Sequence, residues 1–443
     1  MEARPEMRTP ARTPAHSALR WLGMLAFVAL AVLASLWFLG GAGMADLSEG
    51  TAAPSVASTD QAARVARGSY LARIGNCALC HTTRGGIPYA GGRAIDTPFG
   101  AVVSGNLTPD PVHGLGHWSA QDFWRAMHLG LSKDGHALYP AFPYTSYTRI
   151  SREDSDALFA YLQTLTPAAV PKTAHTLRWP YNTQLALRVW RALYFQPARE
   201  AEVASTPVAR GEYLVNGLGH CMECHGTRNA LGALSSRGKG GYLLPGSQWY
   251  APSLTDAAQA SVAAWSPEAI QHFLQTGSNA TAQAGGPMAE VVLHGTQYLT
   301  DTDVQAMAAY LHALPHADAA PSRDKVNGPS PAVASKGAKL YETHCADCHG
   351  LQGEGRAGAY PSLAGNRAVT MAQTQNLIHA VLGGGFAPAT AGNPQPYGMP
   401  PFMLLLSDSE VAAVLSHIRS AWGNQAAPVS EFDINQLRRS QVP

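Results

Sequence analysis

Cys77-Ala78-Leu79-Cys80-His81 is the stretch on which the reading of this chain turns. The same spacing returns as Cys221-Met222-Glu223-Cys224-His225 and as Cys345-Ala346-Asp347-Cys348-His349, and these copies use all 6 cysteines. Two thiols with an imidazole directly after them are the attachment site of covalent c-type haem. The thiols bond the porphyrin vinyl groups and the histidine is held against the iron. Rival chemistries fit less well. A structural zinc site closes its tetrahedron with a second Cys or His pair nearby, yet no cysteine lies between the motifs. A redox Cys-x-x-Cys requires neither the following His nor repetition. The motifs therefore predict three covalently bound haem c groups. Cys77, Cys80, Cys221, Cys224, Cys345 and Cys348 would carry them, with His81, His225 and His349 as iron ligands.

The surroundings of the motif repeat as well. A short helical lead precedes each copy: Arg67-Gly68-Ser69-Tyr70-Leu71, Arg210-Gly211-Glu212-Tyr213-Leu214 and Lys336-Gly337-Ala338-Lys339-Leu340. Downstream, Ser151-Arg152-Glu153-Asp154, Thr300-Asp301-Thr302-Asp303 and Ser407-Asp408-Ser409-Glu410 have the form of capping boxes that open a last helix. Ten residues beyond each cap stand Tyr161, Tyr310 and His417, so a Gly-bearing first helix crossing an aromatic-bearing last helix is the expected shared core. The first two repeats also share Trp118-Ser119 and Trp265-Ser266, each leading a helix to Gly130 or Gly277. The loops Asn106-Leu107-Thr108, Ser253-Leu254-Thr255 and Ser362-Leu363-Ala364 rhyme in turn. These patterns predict an all-α chain of three tandem haem domains with loop-rich pockets. The domains are placed at 63–170, 208–315 and 335–424, with linkers 171–207 and 316–334 and a tail 425–443.

A low-spin electron carrier needs a second axial ligand, and a thioether both binds iron and raises its potential. Met288, in Gly285-Gly286-Pro287-Met288, and Met399, in Tyr397-Gly398-Met399-Pro400-Pro401, stand in Pro/Gly-rich loops just ahead of the last helix. They are the expected ligands of sites two and three, with Met403 the rival at site three. Repeat one departs from the rule, because Phe142 stands where a Met is expected. Its iron is then five-coordinate or bound by His136, Met127 or His128. His136, in the Gly-rich loop, is the first choice.

Thirty-one basic against 30 acidic side chains leave the chain near neutral, which gives no footprint for nucleic acid. Arg4, Arg8, Arg12 and Arg20 precede an uncharged, mostly apolar stretch from Trp21 to Ala45. Basic residues before an apolar segment stay cytoplasmic and send the downstream chain across the membrane. Residues 1–45 are therefore expected to be a signal peptide or a membrane anchor, and the haem domains to lie on the periplasmic face of a bacterial plasma membrane. In the linker, Leu185, Val189 and Leu193 recur every four residues beside Arg188 and Arg191. This is an amphipathic helix suited to a membrane interface or to packing on a domain or partner.

From Arg64 to Ala427 the chain resembles the triheme cytochrome c subunits of bacterial membrane-bound alcohol, gluconate and sugar dehydrogenases. Beyond the haem motifs, the likeness rests on Gly91-Gly92, Thr97-Pro98-Phe99-Gly100, Asn106-Leu107-Thr108-Pro109-Asp110, Trp118 with Phe123-Trp124, and Tyr139-Pro140. It also rests on Met399-Pro400-Pro401-Phe402 and Ala421-Trp422-Gly423-Asn424. The family usually has Met where Phe142 stands. The resemblance implies class I cytochrome c domains in a subunit that does no substrate chemistry. Such a subunit takes electrons from a flavin or PQQ dehydrogenase catalytic subunit and passes them to ubiquinone or another respiratory acceptor. Similar cytochromes accompany molybdenum hydroxylases and aldehyde oxidoreductases, which is one alternative. A haem peroxidase and a terminal-oxidase cytochrome subunit are the others.

Overall fold

The glycines of the three leads decide how each repeat is built. A computed structural model describes residues 58–199, 206–235, 240–259, 265–315 and 327–441, together with Gly23, Met24, Phe27 and Val262. In it the leads lie in helices Ser58–Ile74, Pro207–Tyr213 and Pro331–His344, the second running on as a π-helical turn, Leu214–Leu218. Each crosses a closing helix: Arg152–Leu162, Asp301–Ala313 and Asp408–Ser420 respectively. A Cβ added at Gly68 would lie 1.9 Å from the Ala157 carbonyl oxygen. At Gly211 it would lie 2.0 Å from that of Ala306, and at Gly337 2.2 Å from that of Ala413. The next side chain met in each case is that of Tyr161, Tyr310 or His417, whose Cβ would be 2.9, 2.7 and 2.8 Å away. Only glycine permits backbones to approach this closely. The expected crossing of a Gly-bearing and an aromatic-bearing helix is therefore present in all three repeats.

The closing helices start where the capping pattern places them. Ser151, Thr300 and Ser407 accept from the backbone N–H groups of Asp154, Asp303 and Glu410. Of these three caps, only Ser407 and Glu410 complete the reciprocal box. In the first two repeats the aspartate is drawn elsewhere. Asp154 accepts from Arg67 at 2.5 Å and from the Tyr213 hydroxyl of repeat two at 2.6 Å. Asp303 accepts from Arg210 at 2.8 and 2.9 Å and from the Tyr70 hydroxyl of repeat one at 2.7 Å. Each tyrosine also accepts the cap residue's own N–H, Ser151 to Tyr213 at 3.1 Å and Thr300 to Tyr70 at 3.2 Å. A phenol from the other repeat thus does what the third residue of a capping box normally does.

These exchanges join repeats one and two around one apolar core, in which Leu71, Phe123 and Leu158 pack with Leu214, Ile270 and Met307. Repeat three has its own core, built on Tyr341, Ile378, Leu382 and Leu415. It meets repeat two through Asn376, whose amide pairs with both backbone groups of Tyr250 at 2.7 and 2.8 Å, and through His379 stacked on Trp249. The segment expected as a tail is part of this third core. Helix Glu431–Gln441 buries Ile434 and Leu437, while Arg438 and Asn435 bind Asp408 at 2.7 and 2.8 Å. Short antiparallel hairpins, 94–103, 242–251 and 385–399, hold the only named strands among the described residues.

A separate unit takes in Trp179–Gln196. Its helix Gln184–Tyr194 is capped by Thr183 and leaves Leu185, Leu193 and Tyr194 exposed. No described helix is long and apolar enough to cross a membrane. Except for Gly23, Met24 and Phe27, the apolar segment expected as signal or anchor lies outside the described residues, as does 316–326 of the second linker.

Candidate haem sites

Each Cys-x-x-Cys-His motif ends the lead helix in a sharp turn and forms a helical turn of its own, Cys77–Cys80, Met222–His225 and Ala346–His349. In the first two repeats the turn needs a left-handed residue, Asn76 at φ 51° and His220 at φ 39°. The chain then doubles back through a hairpin or bridge and delivers a carbonyl to the motif's histidine. His81 Nδ1 lies 2.7 Å from Gly105 O, His225 Nδ1 2.6 Å from Pro252 O and His349 Nδ1 3.0 Å from Pro361 O. A carbonyl can only accept, so Nδ1 carries the proton and Nε2 is left with its lone pair, the tautomer an iron ligand requires. The carbonyls come from the residues directly ahead of Asn106, Ser253 and Ser362. This explains why those three loops rhyme. Asn106 fixes the first of them by donating to Ala168 O at 2.7 Å and accepting from Thr108.

Burial, which favours the neutral ring, holds all three imidazoles below their ordinary pKa, opposed only by the bond to the carbonyl. The cysteines are unpaired. As free thiols, standing here for thioether sulfurs, Cys77 and Cys221 are pushed up to about 12 by burial and then by the second thiol of the motif. Beside His225 a cavity of about 380 Å³ opens between Met222, Leu234, Ser253, Leu254 and Thr255. Among the described residues no three His, Cys, Asp or Glu side chains converge as a zinc site would need. One imidazole with two adjacent sulfurs and an apolar cavity fit a covalently held porphyrin instead.

The candidate distal residues fall in different surroundings. Met288 is the third residue of helix Gly286–His294 and packs, partly buried, against the shared core of repeats one and two. Met399 lies on the strand Gly398–Met399, paired with Gly385, and packs against the third core. Met403 touches that core too, but its backbone is held at both ends. Its N–H donates to Leu382 O at 3.1 Å and its carbonyl accepts from Arg438. In repeat one, Met127 is buried in the core and His128 is stacked on Trp124 with ring centroids 4.5 Å apart. His136 is at a hairpin tip with its side chain 63% exposed, 3.7 Å from Asp134. The structure therefore sets the first-choice ligand of site one in solvent, while Phe142 packs against the core and tilts on Tyr147 at 5.3 Å. Sequence reasoning overlooked Tyr70, Tyr213 and Glu223. Glu223, inside the second motif, accepts from Thr145 and Ser146 of repeat one at 2.9 and 3.0 Å and pairs with Arg228.

Helical repeats that fix a thiol pair and a neutral, oriented imidazole define a c-type cytochrome. The family model described as Cytochrome c matches residues 334–422, and that described as Cytochrome C oxidase, cbb3-type, subunit III matches 206–311. Over most of its length the chain is 37% identical to the cytochrome c subunit of alcohol dehydrogenase (quinone) of Gluconobacter oxydans, covering 86% of this chain and 83% of that one. It is also 37% identical to the gluconate 2-dehydrogenase cytochrome c subunit of Pantoea cypripedii, with 89% and 94% covered. A third relative, a nicotinate dehydrogenase subunit of Pseudomonas putida, is 37% identical over 97% of this chain and 37% of its own length. The chain belongs to the family of cytochrome c subunits of dehydrogenase complexes, an electron-transfer component and not a catalytic subunit.

Proposed function

We propose that this chain is a three-haem relay, fed by a membrane-bound dehydrogenase catalytic subunit that oxidises an alcohol, sugar or acid. In this reading it delivers electrons to ubiquinone or another respiratory acceptor at the periplasmic face of the plasma membrane. The observation that carries it is the threefold Nδ1–carbonyl contact of His81, His225 and His349 beside three thiol pairs. Bound haem supplies the one-electron chemistry. The chain holds each imidazole in one tautomer, and Met288 and Met399 would hold the haems of sites two and three through their thioethers, which would raise the potential there. The junction of repeats one and two ties Glu223, within the second motif, to Thr145 and Ser146, so the first two sites are held at a fixed separation.

The mass of the purified chain tests the haem count, since three covalent haems add three haem masses. A count of one or two would defeat the relay. Purification of the native complex tests the partner, with a flavin or PQQ large subunit expected beside this chain. The nicotinate dehydrogenase relative favours a second reading, in which the partner belongs to a hydroxylase of heteroaromatic or aldehyde substrates. A molybdenum-containing large subunit in the complex would select it.

A further inference from the structure

Repeats one and two can be aligned by hydrogen bonds instead of by distance from a cap. In repeat two, helix Pro267–Thr276 ends at Gly277, whose carbonyl accepts from Ala284 N at 2.7 Å. In repeat one, helix Ala120–Leu129 ends at Gly130, whose carbonyl accepts from Leu138 N at 2.9 Å. The rung inside each closure matches as well, Asn279 N to Ala282 O and Ser132 N to His136 O, both 2.9 Å. From this shared closure, Met288 is the fourth residue after Ala284 and Phe142 the fourth after Leu138. Both are partly buried against the shared core, against which Cys77 of the first motif and Cys221 of the second also pack. His136, by the same register, takes the place of Ala282 at the hairpin tip, where its side chain is exposed beside Asp134. Met127 is held in the core, and His128 is stacked on Trp124 in the same helix.

We propose that Phe142 walls the distal side of site one without ligating it, so that the ferrous iron held by His81 has an open position for a small neutral π-acceptor such as carbon monoxide. A phenyl ring has no donor atom, and its apolar face suits an uncharged diatomic better than water or an anion. Binding is simple addition of the ligand to ferrous iron, with no electron or proton transferred. The inference rests on the three-haem reading, and the two fail separately. A haem count below three defeats that reading, whereas three haems that take up no carbon monoxide defeat only this inference.

The test is titration of the reduced full-length holoprotein with carbon monoxide, followed by absorbance, with spin state read by EPR on the oxidised form. We expect uptake by one haem in three and one high-spin ferric signal. In Phe142→Met the uptake should fall at least tenfold and a low-spin, thioether-ligated spectrum replace the high-spin one, with haem content unchanged. His136→Ala should leave both measurements as in the native chain. No uptake by the native protein, full uptake by Phe142→Met, or a native low-spin signal lost in His136→Ala would each overturn the proposal. The native stoichiometry decides the matter even if the Met variant does not accumulate.

Discussion

Met399 and Met403 are chemically identical and close in the chain, and both pack partly buried against the third core from different local backbones. Met399 sits on a two-residue strand in a Pro/Gly-rich loop, whereas Met403 is bonded front and back, to Leu382 and Arg438. Met399→Ala is expected to abolish the thioether-ligated spectrum of one haem and lower its midpoint potential, read by redox titration, because loss of a thioether removes a ligand that favours the reduced iron. Met403→Ala should leave that couple unmoved and cost about 1–2 kcal/mol of stability, since the side chain is only partly buried against the core. The reverse pattern would exchange their roles. At this scale the motif cysteines and histidines were legible because their spacing is itself the chemistry. The carbonyls that orient the histidines were not, since every residue has a carbonyl. Their only trace was the likeness of the loops next to them in the chain.

Helix crossings carry a second expectation. At Gly68, Gly211 and Gly337 the added methyl of an alanine would meet backbone, which cannot rotate away as a flexible side chain could. Each Gly→Ala change should destabilise its repeat by about 1–3 kcal/mol through overpacking, despite alanine's better helix propensity. Thermal denaturation measures this, and a variant as stable as the native chain would show that the crossing tolerates separation. Both the glycines and the caps were readable in advance, because each repeats at one place in three copies. The helix Glu431–Gln441 escaped notice for the opposite reason. It occurs once, and its buried Ile434 and Leu437 are three apart among polar neighbours, too short a signal to tell from a tail.

Two cores imply two cooperative units within the large body of the molecule. Calorimetry is expected to resolve a transition for repeats one and two together and another for repeat three, and a single transition with equal calorimetric and van't Hoff enthalpies would exclude this. Tyr70→Phe should weaken the first unit by about 1–3 kcal/mol, because the Thr300 N–H and one Asp303 oxygen lose a partner. Acid should act on the same contact. Burial alone would raise the Asp303 carboxyl, but hydrogen bonds from Arg210 and Tyr70 and the charges of Arg210 and Arg67 outweigh it and hold the carboxyl below its ordinary value. The stabilisation is therefore complete above the unfolded pKa of about 4 and is lost as pH falls through the depressed folded value. The stability difference between native protein and Asp303→Asn, measured by denaturant titration, should be constant from about pH 5 to 7 and shrink below about pH 4. A difference undiminished at about pH 3 would remove the ion pair from the account. Tyr70 and Tyr213 stood at equivalent places in two leads, with Lys339 at that place in the third. Their meaning stayed hidden because the partner carboxylate of Tyr70 is 233 residues away and becomes a neighbour only in the fold.

The exchange of phenols has an architectural corollary. Tyr70 reaches Asp303 as Tyr213 reaches Asp154, which is the self-complementary contact of an isologous dimer written within one polypeptide. Such a contact is saturated once made, because each half commits its donor and its acceptor to the other, and neither has a valence left for a further copy. With Lys339 in place of the phenol and Glu410 turned back on its own cap, the third repeat is barred from that handshake. It joins by a heterologous surface, Asn376 and His379 on Tyr250 and Gln248. Among the described residues the three repeats are thus a closed pair with one appended unit, whose heterologous junction, unlike the reciprocal one, is not used up by being made.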